Sequence, residues 1–216
     1  MTLQIKVYSD YVCPFCFIGE QPLQEAIQGK DVEVEWMPFE LRPYPAERID
    51  PWNEPDKLGA FQSTIAPWAK QMGVDIKLPR LSPHPYTHTA FEGYQYAKEN
   101  GKGNEYQHRV FTAFFQEERN IGEVDVLVEI AGEVGLNRDD FRQALENGTY
   151  KEAHQKAVHH AYYEQGVQAV PTFVIGESVV QGVRNKEALE AIIEQELKKE
   201  KATVSDGMTC NIEGCE

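Results

Sequence analysis

Apolar and polar residues alternate from Leu3 to Ser9, with Leu3, Ile5 and Val7 on one face, and this two-residue period predicts a strand that stops at the polar pair Ser9-Asp10. The period then changes. Phe17 to Gln28 places Phe17, Leu23 and Ile27 on one face of a helix closed by Gly29, with a kink expected at Pro22. Val32 to Met37 (V-E-V-E-W-M) alternates again and is ended by Pro38. Strand, helix and strand in this order form a βαβ unit with parallel strands. Residues 41–55 carry four prolines and read as a loop leaving the sheet.

From about residue 56 to 165 only helical patterning is found. Helices are expected near 57–72 (interrupted by Pro67), 87–100, 104–118, 123–134, 138–147 and 149–165. The aromatic residues of this block, Phe91, Tyr94, Phe111, Phe114, Phe115, Tyr162 and Tyr163, are expected to pack a helical core rather than bind a cofactor. Thr172–Ile175 and Ser178–Gln181 flank the two-residue turn Gly176-Glu177 and predict an antiparallel hairpin. Lys186 to about Glu200 is a helix with Ala188, Leu189, Ile192, Ile193 and Leu197 on one side, and residues 203–216 read as a flexible tail. The expected architecture is α/β: βαβ and ββα halves separated by a large all-helical insertion. Residues 1–55 and 166–200 form one discontinuous domain, 56–165 the insertion and 201–216 the tail.

The 216 residues, 41% hydrophobic, suffice for one compact domain carrying an insertion. Lys plus Arg number 21 against 35 Asp plus Glu, a net charge of −14, which argues against nucleic acid and anionic membrane as partners. Neither a secretory leader nor a membrane-length apolar run is visible, so a cytoplasmic protein is expected. In that compartment stable structural disulfides are uncommon, and paired cysteines are read first as catalytic or metal-binding.

The four cysteines fall in two tight pairs at opposite ends: Cys13 and Cys16 in C-P-F-C, and Cys210 and Cys215 in a C-x4-C. A thiol does redox chemistry only as thiolate. Cys13 at the start of a helix faces unpaired backbone N–H groups and the positive end of the helix dipole, which favour the thiolate. Pro14 suits the first helical position. Cys16, one turn later, can attack a mixed disulfide and release the substrate, while the Pro14-Phe15 dipeptide tunes the pair and meets substrate. A lone C-x-x-C could also be half of a zinc site. The strand before it, the helix after it and the lack of a second C-x-x-C favour redox chemistry. Pro171 precedes a predicted strand, where a proline is tolerated because it has no ladder N–H to donate. It is either a plain strand-start residue or a cis proline whose predecessor, Val170, offers its backbone to an extended substrate.

Three stretches, Tyr8-Ser-Asp-Tyr-Val-Cys-Pro-Phe-Cys-Phe-Ile-Gly19, Pro38-Phe-Glu-Leu-Arg-Pro43 and Gly166-Val-Gln-Ala-Val-Pro-Thr-Phe-Val-Ile175, together resemble the DsbA-like thioredoxin family, in particular its FrnE-type branch. The resemblance spans most of residues 3–198. It implies a thioredoxin fold with a helical insertion, dithiol chemistry at Cys13 and Cys16, and a cis Val170-Pro171 bond. Phe15 stands where DsbA itself has histidine, so DsbA-like oxidising power is not implied. Some FrnE-type proteins have a C-terminal C-x4-C thought to exchange with the C-P-x-C pair, and Cys210–Cys215 is similar to it.

The function expected is thiol–disulfide exchange on protein or small disulfide substrates, in the reductase or isomerase direction, with Cys210 and Cys215 as an auxiliary redox pair. An accidental pair of exposed thiols, or adventitious metal binding, is the alternative for the tail. Two other functions stay open: a glutathione-dependent isomerase or transferase of the kappa type, whose members carry serine where Cys13 stands, and a redox-regulated chaperone-like binder. Glu40 could assist proton transfer at Cys16, although a plain loop carboxylate is the simpler reading. The six histidines are read as structural or solvated. No metal site and no cofactor are expected.

Overall fold

The computed structural model describes residues 2–206, with side chains through residue 201. Its elements in chain order are β1 (Leu3–Ser9), α1 (Pro14–Ile27), β2 (Val32–Pro38), α2 (Pro55–Ala60), α3 (Ala66–Gln71), α4 (His88–Glu99), α5 (Gly103–Phe115), α6 (Val124–Glu133), α7 (Arg138–Glu146), α8 (Lys151–His159), β3 (Thr172–Ile175), β4 (Ser178–Gln181) and α9 (Lys186–Asp206). The sheet order is β2-β1-β3-β4. β1 runs parallel to β2, from Leu3 opposite Val32 to Ser9 opposite Pro38. It runs antiparallel to β3, with Ile5 opposite Ile175 and Tyr8 opposite Thr172. The hairpin of β3 and β4 closes the sheet.

The α/β architecture, the βαβ and ββα halves and the helical insertion between them are all present. β1 is central, and Leu3, Ile5, Val7 and Tyr8 are all fully buried. α1 packs against α9, and α5 and α8 lie against β2. β2 is an edge of this sheet, and its exposed ladder would invite association with another chain. The insertion covers it: the Trp36 backbone N–H donates to the Tyr94 hydroxyl on α4 at 3.0 Å, and Lys98 pairs with Glu35.

Several expectations are corrected. α1 begins at Pro14, so the C-P-F-C is its first turn, and it runs unbroken through Pro22. The helix expected at 57–72 is divided by a π-helical turn over Phe61–Ile65. Pro67 lies at the start of α3, where its missing N–H and bulky ring need room from the carbonyl of Ser63. A widened turn gives that room. α8 likewise passes into a π turn at His160–Glu164. Of the expected core aromatics, Phe91, Tyr94, Phe111, Phe114 and Phe115 are buried, but Tyr162 is half-buried and Tyr163 is exposed beyond α8. α9 continues to Asp206 because Lys198–Ala202 consists of strong helix formers with no stop signal.

The insertion's core has one close approach that only glycine permits. A Cβ on Gly93 in α4 would lie 2.3 Å from the Tyr106 hydroxyl and 2.7 Å from Phe141 Cζ. Gly93→Ala is therefore expected to destabilise the protein by about 1–3 kcal/mol through overpacking, despite the better helix propensity of alanine. Gly59 in α2 faces open space, and Gly59→Ala should stabilise by about 0.5–1 kcal/mol. Urea unfolding of the two variants beside wild type checks both signs.

Candidate active site

β1 ends at Ser9, and a short turn carries the chain into α1. The carbonyl of Asp10 accepts the Cys13 N–H at 3.1 Å. Cys13 is the residue before the first helical position, with an extended backbone, and Pro14 opens the helix. Its carbonyl accepts the N–H groups of Cys16 (3.1 Å) and Phe17 (3.3 Å). A capping serine or aspartate would aim its oxygen at the orphan N–H groups of such a first turn. Here a thiol holds the capping position and makes no capping hydrogen bond.

The partner comes from the other half of the chain. The Val170–Pro171 bond is cis, and the Cys13 thiol lies 3.7 Å from the Val170 carbonyl oxygen as a donor to it. Pro171 is buried immediately before β3, and its carbonyl accepts the Gly182 N–H at 2.8 Å. Cys13 and Cys16 are both free thiols. Cys16 is buried, and its pKa is raised well above the ordinary thiol value, first by burial and then by its interactions with Cys13. The Asp10 backbone and the Ser9 hydroxyl act on it in the opposite sense.

Pro14 and Phe15 are half-buried. Phe15 meets Trp68 of α3 edge-on, with ring centroids 5.9 Å apart, so the insertion reaches over the C-P-F-C turn. Phe17, the next aromatic, stacks on Phe115 in the core.

Two carboxylates near this turn behave differently from their sequence readings. Asp10, which reads as a turn residue, is buried, and its pKa is raised to about 6. Burial is the main cause, and the negative charge of Glu40 adds to it. The Leu41 N–H (2.7 Å), the Thr87 hydroxyl and the Val12 N–H (3.5 Å) pull the other way. Glu40 is not a solvated loop carboxylate. The Phe39 N–H continues the ladder to the Ser9 carbonyl at 2.9 Å, which carries Glu40 beneath α8, where its carboxylate lies 2.7 Å from His154 Nε2 and both are buried. The Tyr162 hydroxyl donates to the Glu40 carbonyl. Glu40 is thus engaged by His154 rather than by Cys16.

Among the described residues no group of three or more His, Cys, Asp or Glu could hold a metal ion. No helix there is long and apolar enough to cross a membrane. Cys210 and Cys215 lie outside the described residues.

A DSBA-like thioredoxin domain matches residues 4–194. The chain belongs to that family. It is 55% identical over 199 residues to the Bacillus subtilis (strain 168) protein YwbO, covering 92% of this chain and all of YwbO. Among solved structures it is similar to a probable DsbA oxidoreductase, SCO1869, from Streptomyces coelicolor. That match has TM-score 0.79 and 21% identity over 99% of this chain and 94% of the other. The cytosolic disulfide reductase DsbM from Pseudomonas aeruginosa, solved with GSH, matches with TM-score 0.69 and 20% identity over 91% of this chain and all of DsbM. At these identities the two structures establish a shared fold.

The buried Asp10 gives the DsbA-like domain a measurable pH signature. Its carboxyl has an ordinary pKa of 3.8 and about 6 in the fold, so between those values the native state holds a proton that the unfolded chain has lost. Stability is expected to fall as pH rises from about 4 to 6 and to stay lower above, by up to about 3 kcal/mol from this group. Asp10→Asn cannot ionise and should flatten that limb while retaining an acceptor for the Leu41 N–H. Urea unfolding at pH 4, 5, 6 and 7 measures it, and equal slopes in the two proteins would assign the titration elsewhere.

Proposed function

We propose that this protein is a dithiol–disulfide oxidoreductase acting on protein or small-molecule disulfides, with Cys13 as attacking thiolate and Cys16 as resolving thiol. The observation that carries the reading is the meeting of the Cys13 thiol, at the N-terminus of α1, with the carbonyl before a cis proline 157 residues away. Family membership supports the reaction class.

In this reading an extended substrate segment lies along Val170–Pro171 and meets the Cys13 sulfur. Negative charge on that sulfur lies at the positive end of the α1 dipole. The Cys13 thiolate attacks one substrate sulfur, forming a mixed disulfide, and the other substrate sulfur leaves as a thiolate that takes a proton from water. Cys16 then attacks Cys13 Sγ, and its proton passes to the substrate sulfur that this attack releases. The Cys13–Cys16 disulfide forms and the substrate departs as a dithiol, two electrons having passed from enzyme to substrate. The high pKa of Cys16 keeps it protonated until this second step. Regeneration requires an external thiol reductant.

A reducing compartment favours the reductase or isomerase direction. Cys210 and Cys215 are assigned, as in the FrnE-type proteins that the sequence resembles, to relaying electrons to this pair.

Cys13→Ser should reduce exchange with 2-hydroxyethyl disulfide or insulin to the uncatalysed background. Cys16→Ser should accumulate a mixed disulfide, seen by mass spectrometry as the added mass of one substrate half. Full activity in Cys13→Ser would sink the assignment. Cys210→Ser, Cys215→Ser should retain the first attack and slow turnover with a protein disulfide, and unchanged turnover would remove the relay.

A further inference from the structure

The two edges of the sheet differ. β2 carries Glu33 and Glu35 and is covered by the insertion. β4, the other edge, is Ser178-Val179-Val180-Gln181, with no charge, proline or glycine. Natural edge strands are blunted by charge, proline, a bulge or a cover. β4 pairs with β3 without a bulge, its Val179 is 69% exposed, and Gln181 is exposed too.

The ladder shows which backbone groups of β4 are free. On β3, Ile175 lies opposite Ser178 and Phe173 opposite Val180. At its two ends the Gly176 N–H donates across β1 to the Gln4 carbonyl, and the Gly182 N–H donates to the Pro171 carbonyl. The alternation of an antiparallel ladder then turns the N–H and C=O groups of Ser178 and Val180 toward β3 and those of Val179 and Gln181 outward. Among the described residues nothing bonds to these outward groups. The strand is also held in place from behind, because the Glu196 carboxylate of α9 accepts the Glu177 N–H at 3.1 Å and the Ser178 hydroxyl at 2.9 Å. An edge ordered in this way loses little further freedom on pairing.

We propose that β4 is a self-association edge, on which a second copy of this chain pairs antiparallel to form a two-fold dimer with one continuous sheet. Within Ser178–Gln181 one antiparallel register uses every outward group of both copies: Val179 opposite the partner's Gln181, and Gln181 opposite the partner's Val179, with the axis at Val180. That register also sets charge against charge where the strands end. Glu177, with Lys199 at 3.5 Å, precedes β4, and Arg184, exposed and without an ion pair among the described residues, follows it. Within one chain these two residues are about 20 Å apart along the strand. In the dimer, Arg184 comes beside the partner's Glu177 turn, once at each end. An arbitrary extended segment would supply backbone groups but not these charges, so a second copy is the better fit. The formal charge of −14 opposes association over most of the surface, and an uncharged strand is where two copies can approach. Pairing through one short strand buries less than the about 1,200 Å² of a stable interface, so the dimer is reversible. Antiparallel pairing also reverses the direction of β4, which leads through Gly182 to the cis-proline, so the two C-P-F-C turns open at opposite ends of the joined sheet.

Sedimentation velocity of the full chain over about 5–500 μM tests the dimer, with a thiol reductant present to prevent cross-links through cysteine. Wild type should pass from monomer to dimer across that range. Val179→Pro removes an outward N–H, leaves the ladder to β3 intact and should raise the dimer Kd at least about tenfold. Val179→Lys keeps every backbone group, places a charge on the edge and should act in the same direction. Urea unfolding of both variants checks that the fold is retained. Glu177→Arg alone and Arg184→Glu alone should each weaken the dimer about tenfold, because like charges then meet at both ends. An equimolar mixture of these two variants should recover the wild-type affinity, because each end then joins opposite charges. A monomer at every concentration, a dimer insensitive to both Val179 variants, or a mixture no tighter than its components would overturn the proposal. It would also be overturned by a monomeric wild type that binds unfolded carboxymethylated lactalbumin more tightly than Val179→Pro does, which would give the edge to a client strand.

Discussion

The central position of β1 is the constraint on which the site depends. Its parallel register with β2 sets Ser9 opposite Pro38, and its antiparallel register with β3 sets Tyr8 opposite Thr172. The end of β1, the end of β2 and the start of β3 therefore meet at one end of the sheet. The turn to Cys13 follows the first, the Glu40–Arg42 segment follows the second, and the Val170–Pro171 bond precedes the third. A slip of one residue in either register would move each of these groups to the wrong face. The burial of β1 resists such a slip, because Leu3, Ile5 and Val7 would have to leave the core.

This convergence buries polar groups that need partners. The Asp10 carboxylate takes the Leu41 N–H, and Glu40 takes His154 from α8. Both bonds tie that end of the sheet to something outside the βαβ unit, and the second ties it to the insertion. A buried pair of this kind adds little net stability compared with apolar packing, yet removing one member leaves the other desolvated and alone. The contacts thus act mainly as penalties on misplacement. The insertion is held to β2 by the Trp36–Tyr94 bond, by the Glu40–His154 pair and by Tyr162 on the Glu40 carbonyl. It also brings Trp68 over Phe15. The helical block is therefore part of the wall around the C-P-F-C turn.

What could be read from the chain follows the range of the forces involved. The strands at Leu3–Ser9 and Val32–Pro38 and the hairpin were legible because alternation is local and one strand face is buried. The C-P-F-C was legible because a strand before it and a helix after it constrain a few adjacent residues. The cis bond at Pro171 was not: residue patterning left it open, and the family resemblance pointed to it. Glu40 and His154 are 114 residues apart, and nothing near either one signals the other. Asp10 follows Ser9 in a pair that looks like an ordinary strand exit, and its hydrogen-bond partners Leu41 and Thr87 are remote in sequence. The π turn before Pro67 was missed because a proline in a helical run can be relieved by a break, a kink or a widened turn, and local pattern does not choose among them.

The two thiols of the C-P-F-C are identical in chemistry and three residues apart, and the fold alone makes them different. Cys13 is the residue before the first helical position, with the Val170 carbonyl within reach of its thiol. Cys16 stands inside the first turn, about 4.5 Å farther along the axis, where burial holds its proton. In the proposed chemistry a substrate disulfide lying along Val170 would meet Cys13 first. The order of attack in the proposed chemistry is in this sense set by where the helix begins, and Pro14, which can start a helix but cannot easily continue one, fixes that beginning one residue after Cys13.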